Sequence, residues 1–170
     1  MSFAPVVRPA RPEDVPAVVA MVHELADFER APDECHLTAE QLHTALFGAQ
    51  PALFGLVAVD AADEPIGIAL WFLNFSTWEG THGIYLEDLY VRPRARGSGA
   101  GGALLAGLAA IAVERGYRRV EWVMIDWNPA AEFYAAIGAT VTKGWLPYRL
   151  SGPALDRLAE RASPPGPISG

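Results

Sequence analysis

One stretch of this chain, residues 84–134, limits the possible folds more than any other. It reads IYLEDLYV, then RPRARGSGAGG, then an Ala/Leu-rich run that stops at Gly116, then YRRVEWVMIDWN and PAAEFY. A β-branched and aromatic run closed by Arg-Pro reads as a strand, Ile84 to Val91. Gly97, Gly99 and Gly101 then permit unusual dihedrals and close backbone approach. They lie where a helix over Gly99 to Arg115 begins, so unpaired N–H groups converge with the positive end of a helix dipole. Strand, glycine turn and helix in that order make an anion cradle, flanked by Arg94 and Arg96. The turn lacks the Lys-Ser/Thr ending of a nucleoside triphosphate loop. The acidic residue of a dinucleotide fold has only Asp126 as a weak candidate.

The rest of the pattern fixes the class. Val6 to Arg8 reads as a first strand, and a helix starts near Glu13 with Val15, Val18, Val19, Val22 and Leu25 along one face. Thr38 and Gln41 form a capping box for a helix over Ala39 to Phe47. Leu53 to Asp60 and Ile66 to Phe75 read as strands, and Ser76 to Gly83 as a loop. Val120 to Ile125 is a further strand. Asn128 caps a helix with Pro129 at its first position. Thr140 to Leu150 reads as a final strand region broken by Gly144 and Pro147, and Leu155 to Arg161 as a short helix. Consecutive strands followed by βα alternation imply an α/β (α+β) domain with a mixed, mostly antiparallel sheet flanked by helices. One domain over residues 1–161 is expected, with a flexible tail over 162–170.

Composition narrows the function classes. A net charge of −7 argues against nucleic acid as a partner. The charge is unevenly spread: residues 1–90 carry −11 and residues 91–170 carry +4. A basic half suits a phosphorylated cofactor and an acidic half a cationic acceptor. The single cysteine, Cys35, excludes an internal disulfide and fits the cytoplasm. No apolar run reaches the ~20 residues that cross a bilayer, so no membrane role is expected. The four histidines show no metal-ligand spacing, and no metal is expected.

The repeated R-x-x-G-x-G form, at Arg94 to Gly99 and again at Arg96 to Gly101, resembles the acetyl-CoA loop of the GNAT acetyltransferase superfamily. VRPARPEDVPAVVAMVHELADFE, IYLEDLYV, ARGSGAG, EWVMIDWN, EFYAAIGA and W-x-x-Y-R-L are similar to its diamine/polyamine and thialysine N-acetyltransferase group. The likeness covers about residues 5–150. It implies acetyl-CoA as cofactor, a small-molecule amine as substrate and a homodimer. Leu89, Tyr90 and Val91 would present strand backbone to the pantetheine arm. Arg96, Gly97, Ser98, Gly99, Ala100, Gly101 and Gly102 would hold the pyrophosphate, and Asn128 would touch the cofactor. Tyr134 would be the general acid and Glu87 the base, acting through water. Phe28, Glu29, Trp78, Glu87 and Asp88 would form the acceptor site. Lys143 stands where the group's polyamine enzymes carry an acidic residue, which points toward a diamine or lysine-like amino acid.

These roles suit the residue types. A primary ammonium, with a pKa of about 10.4, must lose a proton before it attacks a thioester, and a carboxylate can receive it. A phenol can protonate a leaving thiolate, whose acid has a pKa of ~8.5. A backbone N–H near Leu89 can meet the developing oxyanion, especially where the strand splays. Alternation along a strand predicts that the adjacent Glu87 and Asp88 point to opposite faces. Glu24, Asp27 and Glu29, near the end of the first helix, read either as a lure for a cation or as a solvated face. Two other functions fit the same loop: acetylation of a protein or peptide amine, and a non-catalytic CoA-binding regulatory domain.

Overall fold

The structure is a computed structural model, and it describes residues 5–162. The chain divides after Asp126 into two compact units. The first carries a five-stranded sheet in the order β1-β2-β3-β4-β5: β1 is Val6–Pro9, β2 Phe54–Val59, β3 Pro65–Ser76, β4 Thr81–Val91 and β5 Val120–Glu121. The first four strands are antiparallel neighbours, and β5 alone runs parallel to β4. That parallel step needs a crossover, which α3 (Ala100–Glu114) supplies. The mixed, mostly antiparallel sheet is the one the sequence pattern implies.

Two layers of helix sandwich this sheet. Helix α1 (Val15–Phe28) and helix α2 (Ala39–Phe47) cover one face, where Val18, Met21 and Leu42 pack with Val57, Ile68, Leu70 and Tyr90. Thr38 and Gln41 form the expected capping box at the start of α2. On the other face α3 buries Leu104, Leu105 and Leu108. It lies close to the strands because its Gly107 carries no side chain: a Cβ there would come within 3.0 Å of Leu56 Cδ1. At Gly67 of β3 a Cβ would meet Leu104 Cδ1 at 3.3 Å and Tyr90 O at 3.2 Å. Both glycines therefore set how near α3 sits to the sheet.

At the other end of the sheet the structure departs from the pattern. The loop expected over Ser76 to Gly83 is only a tight turn, since β3 and β4 extend as a hairpin to Ser76 and Thr81. The fifth strand stops after two residues instead of running to Ile125. Its last rung is Tyr85↔Glu121, and β4 departs from regular pairing immediately afterwards, so the two strands lose register there.

In the second unit, α4 is Ala131–Ala136 and α5 is Gly152–Ala159. Thr140 to Leu150 is not a strand: it has no described ladder partner, and Gly144 takes φ +83 within it. No described residue beyond Ala112 is fully buried. Of the tail expected at 162–170, only Ala162 lies among the described residues.

Candidate active site

Regular alternation along β4 breaks at Glu87, and the break builds the site. Trp71 of β3 lies opposite Leu86, but the next β3 residue, Leu70, lies opposite Asp88. Glu87 is the extra residue of a β-bulge. Tyr85, opposite Phe72, and Asp88, opposite Leu70, consequently share the face covered by α1 and α2, although they are three residues apart. An uninterrupted strand would put them on opposite faces. The bulge thus puts Asp88 on the α1/α2 face, with the exposed Glu87 next to it in the chain.

The electrostatics reflect that grouping. Burial, with the charges of Glu87 and Glu29 added to it, pushes the Asp88 carboxyl up to about 6. The Tyr85 phenol is also raised, first by burial and then by Glu87 and Glu121. Burial raises Glu29, the residue that closes α1. Among the described residues the ion pairs join Arg8 with Asp14 and Asp63, Arg11 with Asp63, Arg92 with Glu24, Arg118 with Glu79 and Arg119 with Glu121. None neutralises Glu29, Glu87 or Asp88. The three are nevertheless not grouped closely enough to chelate a metal ion.

This corrects the reading of the acidic end of α1 as a group of three. Glu24 is bonded to Arg92 at 3.2 Å. Asp27 is exposed. Only Glu29 acts on the bulge.

The glycine turn follows three residues of 3-10 helix, Pro93–Ala95, after β4. Gly97 and Gly99 adopt φ +80 and +89, the left-handed region that favours glycine, and a Cβ at either would point into open space. The Ser98 amide donates to Ala95 O at 3.3 Å, and the Ala100 amide to Ser98 Oγ at 3.4 Å. The amides of Gly97, Gly99, Gly101 and Gly102 have no described acceptor, so four main-chain donors remain at the front of α3. Arg96 does not reach forward from the turn. Its Nε donates to Val91 O at 3.2 Å, and its guanidinium lies 5.4 Å from the Phe28 ring and 5.7 Å from the Tyr90 ring. That contact ties turn, β4 and the end of α1 together beside the carboxylates.

Between bulge and turn, Leu89, Tyr90 and Val91 pair with β3 on one side. On the other side β5 pairs only with Ile84 and Tyr85. No described strand occupies that edge of β4 from Leu86 onward, so its main chain can receive an extended ligand as a strand would. A depression of about 370 Å³ lined by Asp60, Ile66 and Ser98 flanks the turn, away from the carboxylates.

Trp78 does not join this group. It sits in the β3–β4 turn, 88% exposed, and the six-residue step from Thr81 to Glu87 alone spans roughly 20 Å of strand. In the second unit, Asn128 Oδ1 accepts from the Ala130 amide at 2.9 Å in an Asx turn; α4 itself begins later than expected, with Ala130 rather than Asn128 at its N-cap. Tyr134 lies on α4, half-buried, 5.4 Å from the Phe133 ring, with its phenol raised by burial. Sequence reasoning allowed for a splay near Leu89 but did not place the extra residue at Glu87, and it missed Tyr85. A LED triplet carries no sign of an inserted residue, because a bulge is a property of pairing between strands.

Comparison with known proteins gives the family and the fold. Residues 18–139 match the family model described as the acetyltransferase (GNAT) family. A thialysine N-epsilon-acetyltransferase of Bos taurus is 34% identical over 94% of this chain and 99% of its own length. An L-ornithine N5-acetyltransferase of Arabidopsis thaliana is 32% identical, covering 89% of this chain and 86% of that protein. Among solved structures, an integron cassette protein from the Vibrio cholerae mobile metagenome aligns with TM-score 0.77 and 26% identity, over 93% of this chain and 99% of that one.

Proposed function

The chain belongs to the GNAT acetyltransferase family, and from that premise we propose that it transfers acetyl from acetyl-CoA to the primary amine of a small cationic acceptor, a diamine or a lysine- or ornithine-like amino acid. The observation that carries this reading is the group of Glu29, Glu87 and Asp88, which lacks any described counter-cation. Three carboxylates sharing one environment repel each other, and a bound ammonium relieves that repulsion. Lys143, where the group's polyamine enzymes carry an acidic residue, favours an acceptor with its own carboxylate over a long polyamine.

The residues present suit acetyl-CoA. Free amides at Gly97, Gly99, Gly101 and Gly102 suit a diphosphate, and the open edge at Leu89 to Val91 suits the amide-bearing pantetheine arm. Acetyl-CoA supplies an activated thioester. Glu87 is exposed and can pass the acceptor's proton to water. Phe28 shapes the acceptor site beside Glu29. Asn128 touches the cofactor, and Tyr134, whose phenol burial keeps protonated, gives its proton to the departing thiolate. The family match crosses the division at Asp126, which supports one functional domain over residues 1–161.

We further propose a homodimer in the cytoplasm. Val141 and Tyr148 expose 82% and 94% of their surfaces, as residues awaiting a second copy would. Light scattering at micromolar concentration should give twice the chain mass, and a monomer refutes the dimer.

The test of activity is acetylation of a panel of amines. Wild type should acetylate lysine- and ornithine-like amines, and Tyr134→Phe should lose roughly 10²-fold in rate. Binding of acetyl-CoA without turnover of any amine overturns the reading.

A further inference from the structure

Family resemblance gives the proton to Glu87, but the bulge offers two carboxylates, and they differ in placement. Glu87 is the exposed, extra residue. Asp88 is fixed opposite Leu70, on the face that holds the α1/α2 core, and is mostly shielded from water. Resting on the acetyltransferase reading, we propose that Asp88 receives the proton of the acceptor ammonium, and that Glu87 relays it to solvent.

Three observations carry this. The bulge turns Asp88 to the same face as Tyr85 and beside the end of α1, where Glu29 closes the helix. The charged groups facing it are Glu87 from β4 and Glu29 from α1; β3 presents the apolar Leu70. Arg96, the described cation held on this face by Phe28 and Tyr90, bonds to Val91 O instead. Asp88 therefore sits among anions in a partly dry setting, with no described hydrogen-bond donor, and holds a proton up to about pH 6. A base with a pKa near the working pH is both ionised and basic enough to pull a proton, which a carboxylate in open water is not. Glu87, adjacent and exposed, supplies both the charge that strengthens Asp88 and a path outward.

The step balances. The C–N bond forms as the thioester C–S bond breaks. The ammonium gives up two protons: one passes to Asp88 and out through Glu87, and the other replaces, by way of Tyr134, the proton given to the thiolate. No redox partner is needed.

The experiment is the pH profile of kcat/KM for one diamine, with wild type, Asp88→Asn, Asp88→Glu and Glu87→Gln, each first shown by thermal shift to bind acetyl-CoA. Wild type should show an acid limb near pH 6 and a decline as the amine itself loses its proton at about 10.4. Asp88→Asn should lose roughly 10²-fold or more in kcat together with the acid limb, and Asp88→Glu should recover part of both. Glu87→Gln should lose about 10-fold or less and move the limb to lower pH, since a repelling charge is gone. Retention of the limb in Asp88→Asn, its loss in Glu87→Gln, or a rise in KM alone in Asp88→Asn overturns the assignment. A wild type that binds acetyl-CoA yet acetylates nothing instead overturns the acetyltransferase reading beneath it.

Discussion

Eight residues, Leu89 to Arg96, separate two regions that handle opposite charges with different materials. At the turn, Gly97 to Gly102 offer main-chain amides and almost no side chain. At the bulge, Glu87 and Asp88, with Glu29, offer side-chain charge. An amide cradle depends on backbone angle and on the absence of Cβ atoms. A carboxylate group depends on which neighbours are near and how dry they are. The first is written in residue type, the second in packing.

The largest effect should come from breaking the backbone region. Gly99→Val places an L residue at φ +89, at a conformational cost of ~1–2 kcal/mol. The new side chain would enter open space, so packing is spared. That same space is where a diphosphate approaches the α3 amides. Affinity for acetyl-CoA should fall at least ~100-fold by calorimetry, while the melting temperature of the free protein drops by roughly 2–8 °C. Equal loss of stability and no loss of acetyl-CoA affinity would mean that the turn is structural.

The side-chain region should respond in the opposite sense. Asp88 has a raised carboxyl in the folded state, near 6 against 3.8 for the free residue. The folded chain thus binds more proton between those values, and stability falls as pH rises through that window. Above about pH 6 the full cost of a buried anion is present, on the order of 1–3 kcal/mol. Asp88→Asn removes it. The variant should melt roughly 2–10 °C above wild type at pH 8 and level with it near pH 3.5, while losing activity. A variant no more stable than wild type at pH 8 would show that Asp88 carries no such strain. A residue that harms stability and helps chemistry is a mark of a working site.

This contrast also explains what was legible beforehand. The glycine turn, α2 with its Thr38 cap, and the antiparallel run β1 to β4 follow from local signals, and each is present. The position of the bulge was not legible, because an extra residue exists only relative to a partner strand, and simple alternation along β4 failed with it. The early end of β5 has the same origin, since its ladder stops at Tyr85, two residues before the extra residue Glu87. Glu24 looked like part of an acceptor lure until tertiary structure paired it with Arg92, 68 residues away. Thr140 to Leu150 carries strand-like residues, but a strand needs a partner, and none is described for it.

The smallest effect separates attraction from chemistry. Glu29 stands at the end of α1, half-buried, and acts on the bulge through its charge. It touches none of the groups that move protons in the proposed step. Glu29→Gln keeps the shape and removes one unit of attraction for an ammonium, which in a partly solvated setting amounts to about 1 kcal/mol. KM for a diamine should rise roughly 3- to 10-fold with kcat little changed and acetyl-CoA affinity unaltered. The acid limb assigned to Asp88 should move to lower pH, because Glu29 raises that carboxyl too. A neutral-tailed monoamine should feel the change less than a diamine, since its remaining charge is the one Asp88 itself meets. If diamine and monoamine lose equally, Glu29 does not read the acceptor's second charge, and selectivity lies elsewhere in the chain.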